Sequence, residues 1–163
     1  MFRIKNKKTF LILYWILSFT WALPTTILGG LIGLILIITG HKPRKFAPGH
    51  WNFALSEDWG LELGLFAIVD RDRSPDLMAH EYGHHLQACF LLGPLTLFIA
   101  TIPSAIRFWI MTWFPNSRIG KQDYVKDFWV EQDATNRGEW FCNKDLNHWR
   151  KEEEHDKSER KGA

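Results

Sequence analysis

From Phe10 to Thr39 the chain runs without one charged residue. A soluble core helix rarely runs that far with no polar face, and about twenty apolar residues suffice to span a bilayer. The apolar region of a secretory signal is shorter, about 7–15 residues. The stretch therefore predicts a retained membrane segment, preceded by a basic start with Arg3, Lys5, Lys7 and Lys8. Pro24, with Gly29, Gly30 and Gly33 after it, predicts a kinked or tilted span or a re-entrant hairpin.

After a basic connector, His41 to Pro48, the pattern shortens. Trp51–Leu55 and Leu61–Val69, with Ser56-Glu57-Asp58 as the turn, predict a β-hairpin. Leu61, Leu63, Leu65, Ala67 and Val69 fall on one side of the second strand. A charged turn, Asp70 to Arg73, leads to a helix with Ser74 as N-cap and Pro75 at its first position. Leu77, Leu86, Phe90 and Leu91 give that helix apolar packing. A second apolar stretch, Leu91 to Phe114, is broken by Gly93-Pro94 and by Pro103 and holds one charge, Arg107. Trp109, Trp113 and Phe114 read as an interfacial belt. A polar loop, Pro115 to Gly120, precedes an amphipathic helix predicted from about Asp123 to Phe141. Beyond Asn143 the chain is dense in both charge signs, a solvated helix or disorder.

These elements describe an α+β fold, mainly α, with two apolar membrane segments. Residues 1–45 form the basic N-terminus and first membrane segment. Residues 46–142 form a metal-binding domain that includes the second segment, 91–114, and residues 143–163 form the charged tail. The net charge of +2 is too small to imply nucleic acid, while nine Trp and twelve Phe fit a lipid bilayer as partner. Two cysteines, Cys89 and Cys142, cannot build a disulfide framework, and two buried thiols in a reduced compartment are the simpler reading.

The chemistry concentrates in Met78-Ala79-His80-Glu81-Tyr82-Gly83-His84-His85-Leu86-Gln87. His80 and His84 lie four apart, so both rings can grip one ion from a single helix face. Zinc takes such pairs and at catalytic sites keeps a position open for water, which Glu81, about 100° round the helix, can reach as a general base. A third protein ligand is needed. A Gly three residues and a His six residues beyond His84 would supply one arrangement, but Gln87 and Phe90 stand there. His85 points off the ligand face and reads as a polar surface or outer-sphere residue. Gly83 reads as a point of close packing and Tyr82 as core or interface. Glu131 is the best candidate third ligand, because the small Ala134 one turn on lets its helix come close. Asp127, His148 and His155 are rivals.

His80-Glu81-Tyr82-Gly83-His84 with a later Glu-x-x-Ala resembles the gluzincin metallopeptidases. It is most similar to membrane-embedded ones such as the CAAX prenyl protease and heat-shock membrane protease families, and to small bacterial membrane proteins with a predicted zinc-protease site. The resemblance spans roughly residues 46–140 and implies a minimal zincin-like domain. It implies Zn²⁺ held by His80, His84 and Glu131, Glu81 as base, and Leu61–Val69 as an edge strand for an extended peptide or membrane-protein substrate. These families carry Asp four residues after the third ligand, where it orients a ligand imidazole; here Thr135 stands there, with Asp133 as a substitute from another angle. Arg137, His148 and Tyr124 are candidates to stabilise an oxyanion.

The metal helix and Glu131 must share one side of the membrane. One crossing by each apolar segment would separate them, so Leu91–Phe114 is expected to be re-entrant, bent at Pro103, or the site is itself set into the membrane. Basic flanks on every segment place them at the cytoplasmic face of the membrane. The leading expectation is a membrane-bound zinc endopeptidase. The alternatives are a membrane-anchored interaction protein with a structural or vestigial metal site, and an anchor without metal.

Overall fold

A computed structural model describes residues 7–47, 49–56, 59–72 and 74–141. Two helices open the chain: α1, Lys7–Ser18, and α2, Leu23–Ile38. They meet at 79° across a four-residue break. Pro24 lies in the first turn of α2, where its missing N–H costs nothing. No single helix among the described residues is long and apolar enough to cross a membrane.

Four strands follow: β1, Arg44–Ala47; β2, His50–Ser56; β3, Leu61–Leu63; and β4, Phe66–Asp70. They form one sheet in the order β1-β2-β4-β3. The predicted second strand is therefore two strands. Gly64, at a φ of +69°, breaks it into a tight β3–β4 hairpin, because only glycine takes that conformation without strain. β4 lies between β2 and β3 and runs parallel to β2, so Trp51–Leu55 and Leu61–Val69 do not form the expected antiparallel hairpin. Only β3 of the expected edge strand lies at an edge. The supposed connector supplies β1, antiparallel to β2.

The register gives the sheet two faces. Trp51, Phe53 and Phe66 share one face, and Asn52, Glu62 and Ala67 share the other. α2 covers the first face. A Cβ at Gly29 would lie 1.6 Å from the Leu63 carbonyl oxygen, and one at Gly33 would touch Phe66 and Phe53, so both glycines let the helix settle on the strands. On the other face Asn52 reaches Met78 of α3, Pro75–Gln87. Beyond α3 the chain continues through a π-helical turn, Ala88–Leu92, and a 3₁₀ turn, Gly93–Leu95. A second π-helical turn, Leu97–Thr101, leads to α4, Ile102–Trp113. The two arms meet at 103°. The bend falls between Gly93, with φ +54°, and Thr96, and Pro103 merely starts α4.

The last helix, α5, occupies residues 129–141 and starts later than its pattern predicts. The Asp123 carboxylate accepts the backbone N–H groups of Val125 and Lys126, which fixes a turn there instead. Phe10 and Tyr14 of α1, Leu65, Tyr82 and Leu86, and Phe141 of α5 belong to one buried cluster. α1 thus shares a core with the metal-binding motif.

Candidate metal centre

α3 begins where the sequence places it, after Ser74, although the Ser74 side chain makes no cap and its N–H donates to Asp70 Oδ1 at 3.0 Å. α3 and α5 approach at backbone distance. A Cβ at Gly83 would lie 1.9 Å from the Ala134 carbonyl oxygen, and one at Gly138 would lie 1.9 Å from that of Ala79. These reciprocal glycines bring Glu131 over the histidine pair.

His80 Nε2 lies 2.9 Å and His84 Nε2 3.2 Å from the same oxygen, Oε2 of Glu131. The three ligand atoms lie within 4.8 Å of one another. Ligands about 2.1 Å from a tetrahedral zinc stand roughly 3.4 Å apart, so small outward movements would admit the ion. The outer ring nitrogens are held: Thr135 Oγ1 sits 2.8 Å from His80 Nδ1, and Gln87 Oε1 lies 3.0 Å from His84 Nδ1. Gln87 is itself fixed, donating to the Val130 carbonyl and to Asp133 Oδ2. Thr135 therefore occupies the orienting role expected of Asp, and Asp133 contributes through Gln87. Donors of this kind, aimed inward by such partners, suit zinc.

Burial alone would raise the Glu131 carboxyl, but hydrogen bonds from His80 and His84 hold it far below the usual carboxylate range. Its other oxygen accepts the Ser104 hydroxyl and lies 3.4 Å from Tyr124 OH. Burial pushes the Glu81 carboxyl up to about 7, opposed by His80 and His84. That range suits a group that takes and returns a proton near neutrality. Gly60 makes room for it, since a Cβ there would lie 2.2 Å from Glu81 Oε1.

These groups line a cleft of about 1070 Å³, to whose wall the buried Glu62 of β3 also contributes. Leu61, Leu77, Phe108, Trp109 and Met111 line it too. In the β3–β4 hairpin, Leu63 pairs with Phe66 across a two-residue turn, so Glu62, in the next pair, turns its backbone N–H and C=O away from β4. That leaves one outward-facing donor and acceptor on the cleft-side edge for an extended chain.

Asp127 is not among the gathered ligands; its carboxylate accepts the Asp123 N–H. Arg137 is paired with Asp133 at 2.6 Å and does not line the cleft, whereas Tyr124 does. His148 and His155 lie outside the described residues. Cys89 is buried and free, and Cys142 also lies outside them. His85 is wholly buried and contacts neither ligand carboxylate nor cleft, so it is not a surface residue.

Sequence reasoning missed Gln87, Ser104 and Gly60. Gln87, three residues after His84, carried a helical-spacing signal. Ser104 and Gly60 carried none. No family model, curated protein or solved structure matches the chain.

Proposed function

We propose that the chain is a membrane-bound zinc endopeptidase, its site facing the cytoplasm, that cleaves a peptide or a membrane protein near the surface. The observation that carries this reading is the convergence of both imidazole Nε2 atoms on one Glu131 oxygen beside a buried Glu81. The gluzincin resemblance and the basic flanks support it. His80, His84 and Glu131 would hold the ion. Zinc, when bound, lowers the pKa of a coordinated water toward about 7 and polarises a carbonyl. Glu81 takes the proton as water attacks and returns it to the leaving amine. Tyr124 offers the developing oxyanion a hydroxyl from the same cleft. β3 offers the substrate main chain the Glu62 N–H and C=O, a mode tolerant of sequence.

The protein purified in detergent should carry about one zinc per chain. Glu81→Gln should keep the metal and lose cleavage of a mixed peptide library by roughly 10²–10⁴-fold, the usual contribution of a positioned general base. Absence of zinc from the unmutated protein would sink the reading. Zinc present, with no Glu81-dependent cleavage of any peptide or membrane protein, would support the anchored interaction protein instead. Thr135 in place of Asp is what favours that second reading.

A further inference from the structure

We propose that the chain is monotopic: it sits in a single leaflet of an anionic bilayer, and both bent helical pairs enter and leave by the same face. This does not depend on the site being a peptidase.

The apolar surface is too large to leave in water. Leu31, Leu34, Ile35 and Ile38 of α2 are each more than half exposed, as are Phe98, Trp109, Trp113 and Phe114 of the second arm. Single exposed apolar residues are ordinary, but whole helix faces of them mark an interaction surface.

Length and packing limit how deep that surface goes. α1, with 12 residues, and α2, with 16, reach roughly 18 and 24 Å, short of a ~30 Å hydrocarbon core. At 79° their lengths do not add along one direction. α2 is also fastened to the sheet through Gly29 and Gly33. Among the described residues no strand lies beyond β1 or β3, and a sheet edge does not enter hydrocarbon. α2 therefore lies along the membrane rather than through it.

The two bends meet. A Cβ at Gly93 would lie 2.2 Å from Nε1 and Cε2 of the Trp21 indole, so the break after α1 packs on the break before α4. Trp21 is 49 % and Leu95 54 % exposed at this junction. Two re-entrant pairs that share their turning point make one shallow insertion.

The chain also returns. α3 and α5 touch through Gly83 and Gly138, so the apolar arm between them comes back to the side it left. Basic residues flank each apolar segment. Lys8 stands at the start of α1, Lys42, Arg44 and Lys45 follow α2, and Arg118 and Lys121 follow α4, all of them exposed. Such residues favour anionic headgroups.

The test is single-cysteine labelling on a Cys89→Ala, Cys142→Ser background, in sealed right-side-out and inside-out vesicles from the expression host. A membrane-impermeant maleimide should label Lys8→Cys, Lys42→Cys and Lys121→Cys in one vesicle orientation only, the same for all three. Leu95→Cys should react in neither until detergent is added. Labelling of any two basic positions from opposite sides would overturn the proposal in favour of a spanning chain. Release of the unmutated protein by alkaline carbonate would overturn it in favour of a surface-bound one. Neither result touches zinc content, so the peptidase reading stands or falls separately.

Discussion

His84 and His85 are consecutive on α3, and each ring meets a buried glutamate. His84 faces the cleft, and its Nε2 shares the Glu131 oxygen with His80. His85 faces the other way, fully buried, with Nδ1 at 3.2 Å from Glu62 Oε1 and Nε2 at 3.1 Å from Ser18 Oγ. The proton count is alike in both, since Gln87 Oε1 and the Glu131 carboxylate can only accept from His84; what separates them is whether the acceptor is shared with a second imidazole. The Ser18 hydroxyl donates its one proton to the Tyr14 carbonyl, so it can only accept from His85 Nε2. Glu62 Oε1 already accepts the Gly64 N–H, and the remaining proton lies between Glu62 and His85 Nδ1. Both ring nitrogens of His85 then have a partner. Burial lowers the His85 pKa, but Cys89 and Glu62 outweigh it and raise it. In the metal cluster two nitrogens converge on one oxygen, an arrangement a cation can replace. The difference teaches that a buried histidine reads as a ligand when it shares its acceptor oxygen with a second imidazole, and as a tie when it does not.

Exchanging the two histidines for alanine would test that distinction most strongly. His85→Ala leaves the Glu62 carboxylate buried beneath α3 without its cation, and should cost about 3–5 kcal/mol of stability, the usual effect of breaking a buried pair. Zinc per folded chain should stay unchanged. His84→Ala should do the reverse, abolishing zinc binding with a much smaller loss in the apo protein. Denaturant unfolding and metal content, measured on both variants, check this. Equal effects of the two on zinc would break the comparison.

Thr135→Val sharpens the metal side alone. It preserves shape and removes the group holding His80 Nδ1. Loss of such an orienting partner typically weakens metal binding about 10–100-fold, and competition with a chelator would measure it. An unchanged affinity would mean that helix packing alone orients His80.

The metal side was legible in the sequence because its geometry is local. Four-residue spacing fixes where His80 and His84 point, and Ala134 signals close approach by the helix bearing Glu131. The tie was not legible. Ser18, Glu62 and His85 come from three elements, and nothing in their spacing brings them together. Glu62 was also hidden by a misread strand: the alternation of Leu61, Leu63, Leu65, Ala67 and Val69 continues through Gly64 as if the chain did not turn. The turn reverses the chain, so Leu63 and Ala67 lie on opposite sheet faces. The late start of α5 was similarly masked, because a side chain, Asp123, captures the backbone that the periodicity assigns to a helix.

The smallest expected effect lies at the far end of the tie. Ser18→Ala removes the hydroxyl that accepts from His85 Nε2 and that lies 3.4 Å from Cys89 Sγ. Cys89 Sγ is 3.5 Å from the same nitrogen and remains as a weaker partner. The loss is therefore one partly replaced hydrogen bond, about 1 kcal/mol by the usual scale. Its size relative to His85→Ala is informative. Ser18 belongs to α1, Glu62 to the cleft-side strand and His85 to the metal helix, so the tie joins the N-terminal helix to both. If Ser18→Ala costs as much as His85→Ala, α1 and α3 unfold as one cooperative unit through this contact. If it costs about a third or less, the Glu62–His85 pair holds the strand on its own and α1 is kept mainly by the packing of Phe10 and Tyr14. Unfolding of Ser18→Ala, His85→Ala and the double variant in one detergent would yield the coupling directly.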